Sequence, residues 1–211
     1  MFRKFFLYSK FKLKKWEKYS PKKRFKCLQK FENYYAFKQH RTPCEIVLSG
    51  DLPQNTFGLF KESNWKIYLN SYLIYDARYM FVCMNTLLHE GRHAYQHIVV
   101  KSTYENKSRV FKFSKAYKWK NSMQGYLSTS QGDSYADYAN QSIELDANMY
   151  AYKQLKKVRR KYKEQKLYEL EIKELERWFE DVAKLGREQY GVFYKSKIGK
   201  KNKKRYEQLS K

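Results

Sequence analysis

The chain has 211 residues, 42% hydrophobic and 18% aromatic, with 45 Lys and Arg against 21 Asp and Glu and a net charge of +24. Such aromatic mass beside only 8 Gly and 3 Pro excludes a disordered polyelectrolyte and fits one folded domain with basic appendages. No apolar run approaches the roughly 18 residues of a membrane span, and Phe5 to Tyr8 is shorter than a secretory apolar core of about 7 to 15, so a cytoplasmic chain is expected.

Charge divides the sequence into three. Residues 1–42 carry 14 Lys and Arg against 2 acids, a net +12, and residues 151–211 carry 20 against 9, a net +11. The stretch 43–150 carries 11 against 10 and holds three of the four histidines. Cys27, Cys44 and Cys83 are an odd number without C-x-x-C spacing, which reads as reduced thiols and excludes a Cys-based zinc site.

In chain order, Phe6 to Tyr35 places apolar residues among lysines at helical spacing, predicting basic amphipathic helices broken near Ser20 and Pro21, with Ser20 as N-cap. Glu45 to Ser49, Thr56 to Phe60 and Trp65 to Leu69 predict short strands, the last two as a hairpin. A helix follows from Tyr79 to about Val99, and a short one is expected at Phe111 to Trp119. Tyr135 to about Val182 contains no Gly or Pro and predicts long helix, then a lysine-rich tail. The expected class is α+β: a small, mostly antiparallel sheet packed on the Tyr79 helix, followed by a mainly helical C-terminal part.

His89-Glu90-Gly91-Arg92-His93 matches H-E-x-x-H. Residues four apart share a helix face, so His89 and His93 can offer nitrogens to one ion, with Glu90 about 100° around as a base. A tetrahedral catalytic site needs a third protein ligand. His97 lies about 12 Å of rise from His89, too far along the same helix. Glu144 is the better candidate, because Asn140, Ala147, Asn148 and Ala151 share its helical face and permit close approach; Asp133 and Asp137 remain alternatives. Asn148 is a candidate partner for a ligating histidine. Tyr135 and Tyr138 are candidate oxyanion donors, and Arg92 is read as an ion-pair partner of Asp146.

His89 to His93 followed by Glu144-x-x-Ala147 resembles the gluzincin type of zincin metallopeptidase, over roughly residues 43–152. The continuation His93-Ala-Tyr-Gln96 is similar to small zincins carried by mobile elements and phages. The resemblance implies a zincin-like core at 43–152 between a basic helical segment, 1–42, and a basic helical extension, 153–211. It further implies one Zn²⁺ per chain, Glu90 as general base in hydrolysis of a protein or peptide substrate, and an edge strand at Ile67, Tyr68, Leu69 and Asn70 that an extended peptide could pair with. The basic ends are compatible with nucleic acid, an acidic partner, an anionic membrane face or plain solubility. The competing expectation is a nucleic-acid-binding protein of a mobile element whose zinc-stabilised core is not proteolytic.

Overall fold

The computed structural model describes residues 9–53, 56–105, 114–127, 132, 138–139 and 141–159. Asp133, Tyr135, Asp137, Asn140, the start of the helix expected at Phe111, and everything expected before residue 9 or beyond residue 159 lie outside them. The α-helices are α1 (Leu13–Trp16), α2 (Pro21–Lys38), α3 (Tyr72–Tyr75), α4 (Met80–Glu105), α5 (Lys115–Gln124) and α6 (Ser142–Arg159). The strands are β1 (Glu45–Ser49), β2 (Gly58–Lys61) and β3 (Lys66–Asn70).

Ser20 caps α2, its Oγ accepting from Lys23 N at 3.3 Å, and Pro21 occupies the first helical position, where a missing N–H costs nothing. β2 and β3 form an antiparallel hairpin around a 3₁₀ turn, Glu62–Asn64, and Trp65 completes it in the left-handed conformation, φ 58°. β1 pairs with β3 in parallel, so the order is β1-β3-β2. The sheet is therefore mixed, correcting the expectation that it is mostly antiparallel. One hairpin reverses the chain between β1 and β3, and the two strands then align Ile46 beside Ile67 and bury both.

That sheet, α2 and α6 all pack against α4, a 26-residue helix roughly 39 Å long. The core joins Phe11, Trp16, Leu28 and Phe31 to Ile67 and Leu69 of the sheet and to Phe81, Met84 and Leu87 of α4. The jump in charge at residue 42 is thus no boundary in packing. Among the described residues no helix is long and apolar enough to cross a membrane.

Two arginines tie the N-terminal segment to this core. α1 and α3 are single turns, so their last carbonyls lack helical donors. Arg24, itself buried, donates to Trp16 O at 3.2 Å, Glu17 O at 3.2 Å, Ile74 O at 3.0 Å and Tyr75 O at 2.9 Å. Arg41 pairs with Glu32 through two bonds of 2.6 and 2.9 Å, both side chains buried, and Glu32 Oε1 also accepts from Cys44 N at 2.9 Å. Removing one member of such a pair leaves an uncompensated charge, typically at about 3–5 kcal/mol.

Gly91 lets α4 close on that pair. A Cβ there would collide with Arg41 Nη2 and stand 3.0 Å from Glu32 Oε2. Gly91→Ala is expected to destabilise the fold by about 1–2 kcal/mol, overpacking outweighing the gain in helix propensity. A lower urea midpoint at unchanged slope would bear this out; an equal or higher midpoint would mean that Arg41 yields freely. Burial first, then the Glu32 charge, push the Cys44 thiol up to about 12. Cys44 should accordingly resist iodoacetamide at pH 8 in the native protein and react once unfolded in urea; rapid native alkylation would contradict this.

Candidate metal centre

α4 starts through a 3₁₀ turn, Ala77–Tyr79, capped by Asp76, whose Oδ1 accepts from Arg78 N at 2.9 Å. Three turns in, the helix presents His89 and His93 on one face. Their Nε2 atoms stand 2.9 Å apart. Glu144, in the first turn of α6, reaches them with Oε2 at 3.3 Å from His89 Nε2 and Oε1 at 3.4 Å from His93 Nε2. Ala147 and Ala151, both buried, leave room for α6 to approach α4. Donors bound at about 2.1 Å to one tetrahedral zinc would be about 3.4 Å apart, so the observed triangle fits the ion and its N₂O donor set suits it. Among the described residues this is the one cluster of His, Cys, Asp or Glu with such spacing.

The carboxylate is held from behind by two phenols that the ion would not displace. Tyr126 OH donates to Glu144 Oε1 at 2.9 Å and Tyr138 OH to Oε2 at 3.2 Å. Tyr138 therefore positions Glu144, rather than standing apart as the oxyanion donor expected of it; Tyr135 lies outside the described residues. Gln141 fixes the Tyr126 segment by pairing its amide with both Leu127 N and Leu127 O, each at 2.9 Å. Burial disfavours the charged form of every one of these groups. It pushes both phenols up, with the Glu144 charge as the next cause. Burial also opposes ionisation of Glu144, but His93 first and then His89 hold its carboxyl well below the usual range. His93 in turn is lifted above its ordinary value, since Glu144 outweighs the opposing burial. The pocket thus demands positive charge beside Glu144, met by a proton on the imidazole pair or by a metal cation that displaces it.

Gln96, rather than Asn148, orients the second histidine: Gln96 Oε1 lies 2.9 Å from His93 Nδ1. Gln96 is fully buried, and its amide nitrogen donates to Ile143 O at 2.9 Å and Asp146 Oδ2 at 3.1 Å, which fixes the amide's sense. Asp146 is also the partner of Arg92, at 2.7 Å from Nε, as the sequence reading expects, and of Lys115 at 3.1 Å. Burial works against its charge, but Arg92 and then Lys115 keep its carboxyl below the ordinary range. His97 is tied instead to Glu62, Nδ1 to Oε2 at 3.1 Å, and its ring lies against Phe60.

Glu90 faces the sheet. Its Oε2 accepts from Phe60 N at 2.8 Å, and among the described residues no donor holds Oε1. Asn70 N donates to Phe57 O at 2.9 Å, so alternate residues Leu59 and Lys61 exchange bonds with β3, while the polar groups of Gly58 and Phe60 point away from it. β3 is the central strand and has no free edge. The pairing edge expected at Ile67, Tyr68, Leu69 and Asn70 is therefore corrected to β2, the edge strand that touches Glu90. A Cβ on Gly58 would stand 2.5 Å from Thr86 Cγ2 and 2.9 Å from Tyr68 O, so glycine is what lets β2 lie on α4 here.

No protein-family model, curated protein or solved structure matches the chain.

Because Gln96 holds His93 in the orientation that turns Nε2 toward Glu144, Gln96→Leu is expected to weaken zinc affinity about 10- to 100-fold, the usual range for a partner of a ligating histidine. Competition against a chelator, well below the melting temperature, would measure it. An unchanged affinity would remove Gln96 from the site.

Proposed function

We propose that the chain is a zinc-dependent metallopeptidase of gluzincin type, hydrolysing peptide bonds in a protein substrate with Glu90 as general base. The observation that carries this reading is the meeting of two imidazoles from α4 with a buried carboxylate from α6 at spacings that fit one tetrahedral ion. His89, His93 and Glu144 would hold the zinc, and when bound it supplies Lewis-acid polarisation of a carbonyl and lowers the pKa of water.

The chain's own groups account for the remaining requirements. Phe60 N–H fixes one oxygen of Glu90 and leaves the other to take a proton from the attacking water and return it to the leaving amine. The outward groups of Gly58 and Phe60 offer an extended peptide a strand to pair with, beside that base. Tyr126, Tyr138 and Gln96 keep the donors aimed at one point.

Purified protein should contain about one zinc per chain, and Glu90→Gln should keep that zinc while hydrolysis of an unfolded protein such as casein falls at least about 100-fold. Native protein that takes up no metal, or a Glu90→Gln variant as active as the parent, would overturn the reading. Salt-sensitive binding to unrelated nucleic acids, unaltered by the substitution and without hydrolysis, would favour a zinc-held scaffold with a binding role instead.

A further inference from the structure

A cavity of about 420 Å³ lies where α2, α4 and α6 meet, and none of the three metal-donor residues lines it. Its wall contains no acidic side chain. Lys38 and Lys157 stand at it, both exposed, and among the described residues no carboxylate pairs with either. Arg92, also at the wall, is neutralised by Asp146, so the uncompensated charge belongs to the two lysines. Tyr35, Tyr95 and Tyr150 supply rings. Gln39 completes the set: its Oε1 accepts from Arg41 Nε at 2.8 Å, which fixes the amide, and its Nε2 is buried with no hydrogen-bond partner among the described residues.

These features select a ligand class. Phosphate alone would use the lysines and leave the rings idle, and an uncharged ring would leave two ammonium groups uncompensated. A nucleobase carrying a phosphate uses all of them: rings take the base face, an amide meets its edge, and lysines act as point charges on phosphate oxygens. The volume is within the roughly 300–1,000 Å³ of small-ligand sites. We propose that this cavity binds one nucleotide unit, either a free nucleoside monophosphate or the phosphorylated end of a single strand. The proposal is independent of the peptidase reading, because it uses none of the metal-centre residues.

Calorimetric titration of the full chain at physiological salt tests it, using the four nucleoside monophosphates, adenosine, inorganic phosphate and a 5′-phosphorylated tetranucleotide. At least one monophosphate should bind about tenfold or more tightly than either adenosine or phosphate alone. Lys38→Glu with Lys157→Glu should weaken that binding at least about tenfold, while Lys22→Glu with Lys26→Glu, elsewhere on α2, should change it less than about twofold. All four lysines are exposed, so folding should survive, and an unchanged melting temperature checks that. A tetranucleotide that binds about tenfold tighter than the monophosphate marks a strand end as the source, and equal affinities mark the free nucleotide. Absence of binding, phosphate binding as tightly as a monophosphate, or equal losses in both double variants would overturn the proposal.

Discussion

A carboxylate removed from water has to be met by positive charge and by hydrogen-bond donors, and Glu144 is 1% exposed. Two phenols supply donors but no charge, so the charge has to come from the imidazoles of His89 and His93 or from a cation between them and the carboxylate. Helix α6 can dock only where that demand is satisfied, which is against one face of α4. The rest of the arrangement follows: small residues Ala147 and Ala151 line the contact, Asp146 meets Arg92 and Lys115 beside it, and Gln96 bridges the two helices while turning His93.

The opposite requirement acts on the other side of α4. A helix that carries a reactive centre has to be fixed against more than lipid-like packing, and here the fixing group is ionic. The Arg41–Glu32 pair is buried directly beside Gly91, within the motif itself, and it anchors the turn that leads from α2 into β1. Gly58 makes the corresponding close approach for the sheet, bringing Phe60 N–H to Glu90. Both glycines serve proximity, since neither adopts a positive φ. The N-terminal segment, which its charge marks as an appendage, is thereby part of the platform for the site.

Local signals were legible and long-range ones were not. The Ser20 cap, the hairpin, the motif helix, the Arg92–Asp146 pair and the meeting of Glu144 with the histidines could be read from spacing and side-chain type, because helix periodicity alone puts those groups on particular faces. Strand order could not: β1 pairs with β3 across an intervening hairpin leg, and a run such as Glu-Ile-Val-Leu-Ser carries no mark of its partner's direction. A helical wheel placed Asn148 on the right face but said nothing of depth, whereas Gln96, three residues beyond His93, reaches the ring directly. Tyr126 is one of 21 tyrosines, and only the Gln141 clasp on Leu127, a contact between distant segments, distinguishes it.

The central claim is that His89, His93 and Glu144 form one metal site. Anomalous diffraction at the zinc edge from crystals of the zinc-loaded protein tests it most directly. The account predicts a single strong peak within about 2.2 Å of both Nε2 atoms and of a Glu144 oxygen. Zinc found elsewhere, or bound by the two histidines with Glu144 turned away, would contradict it.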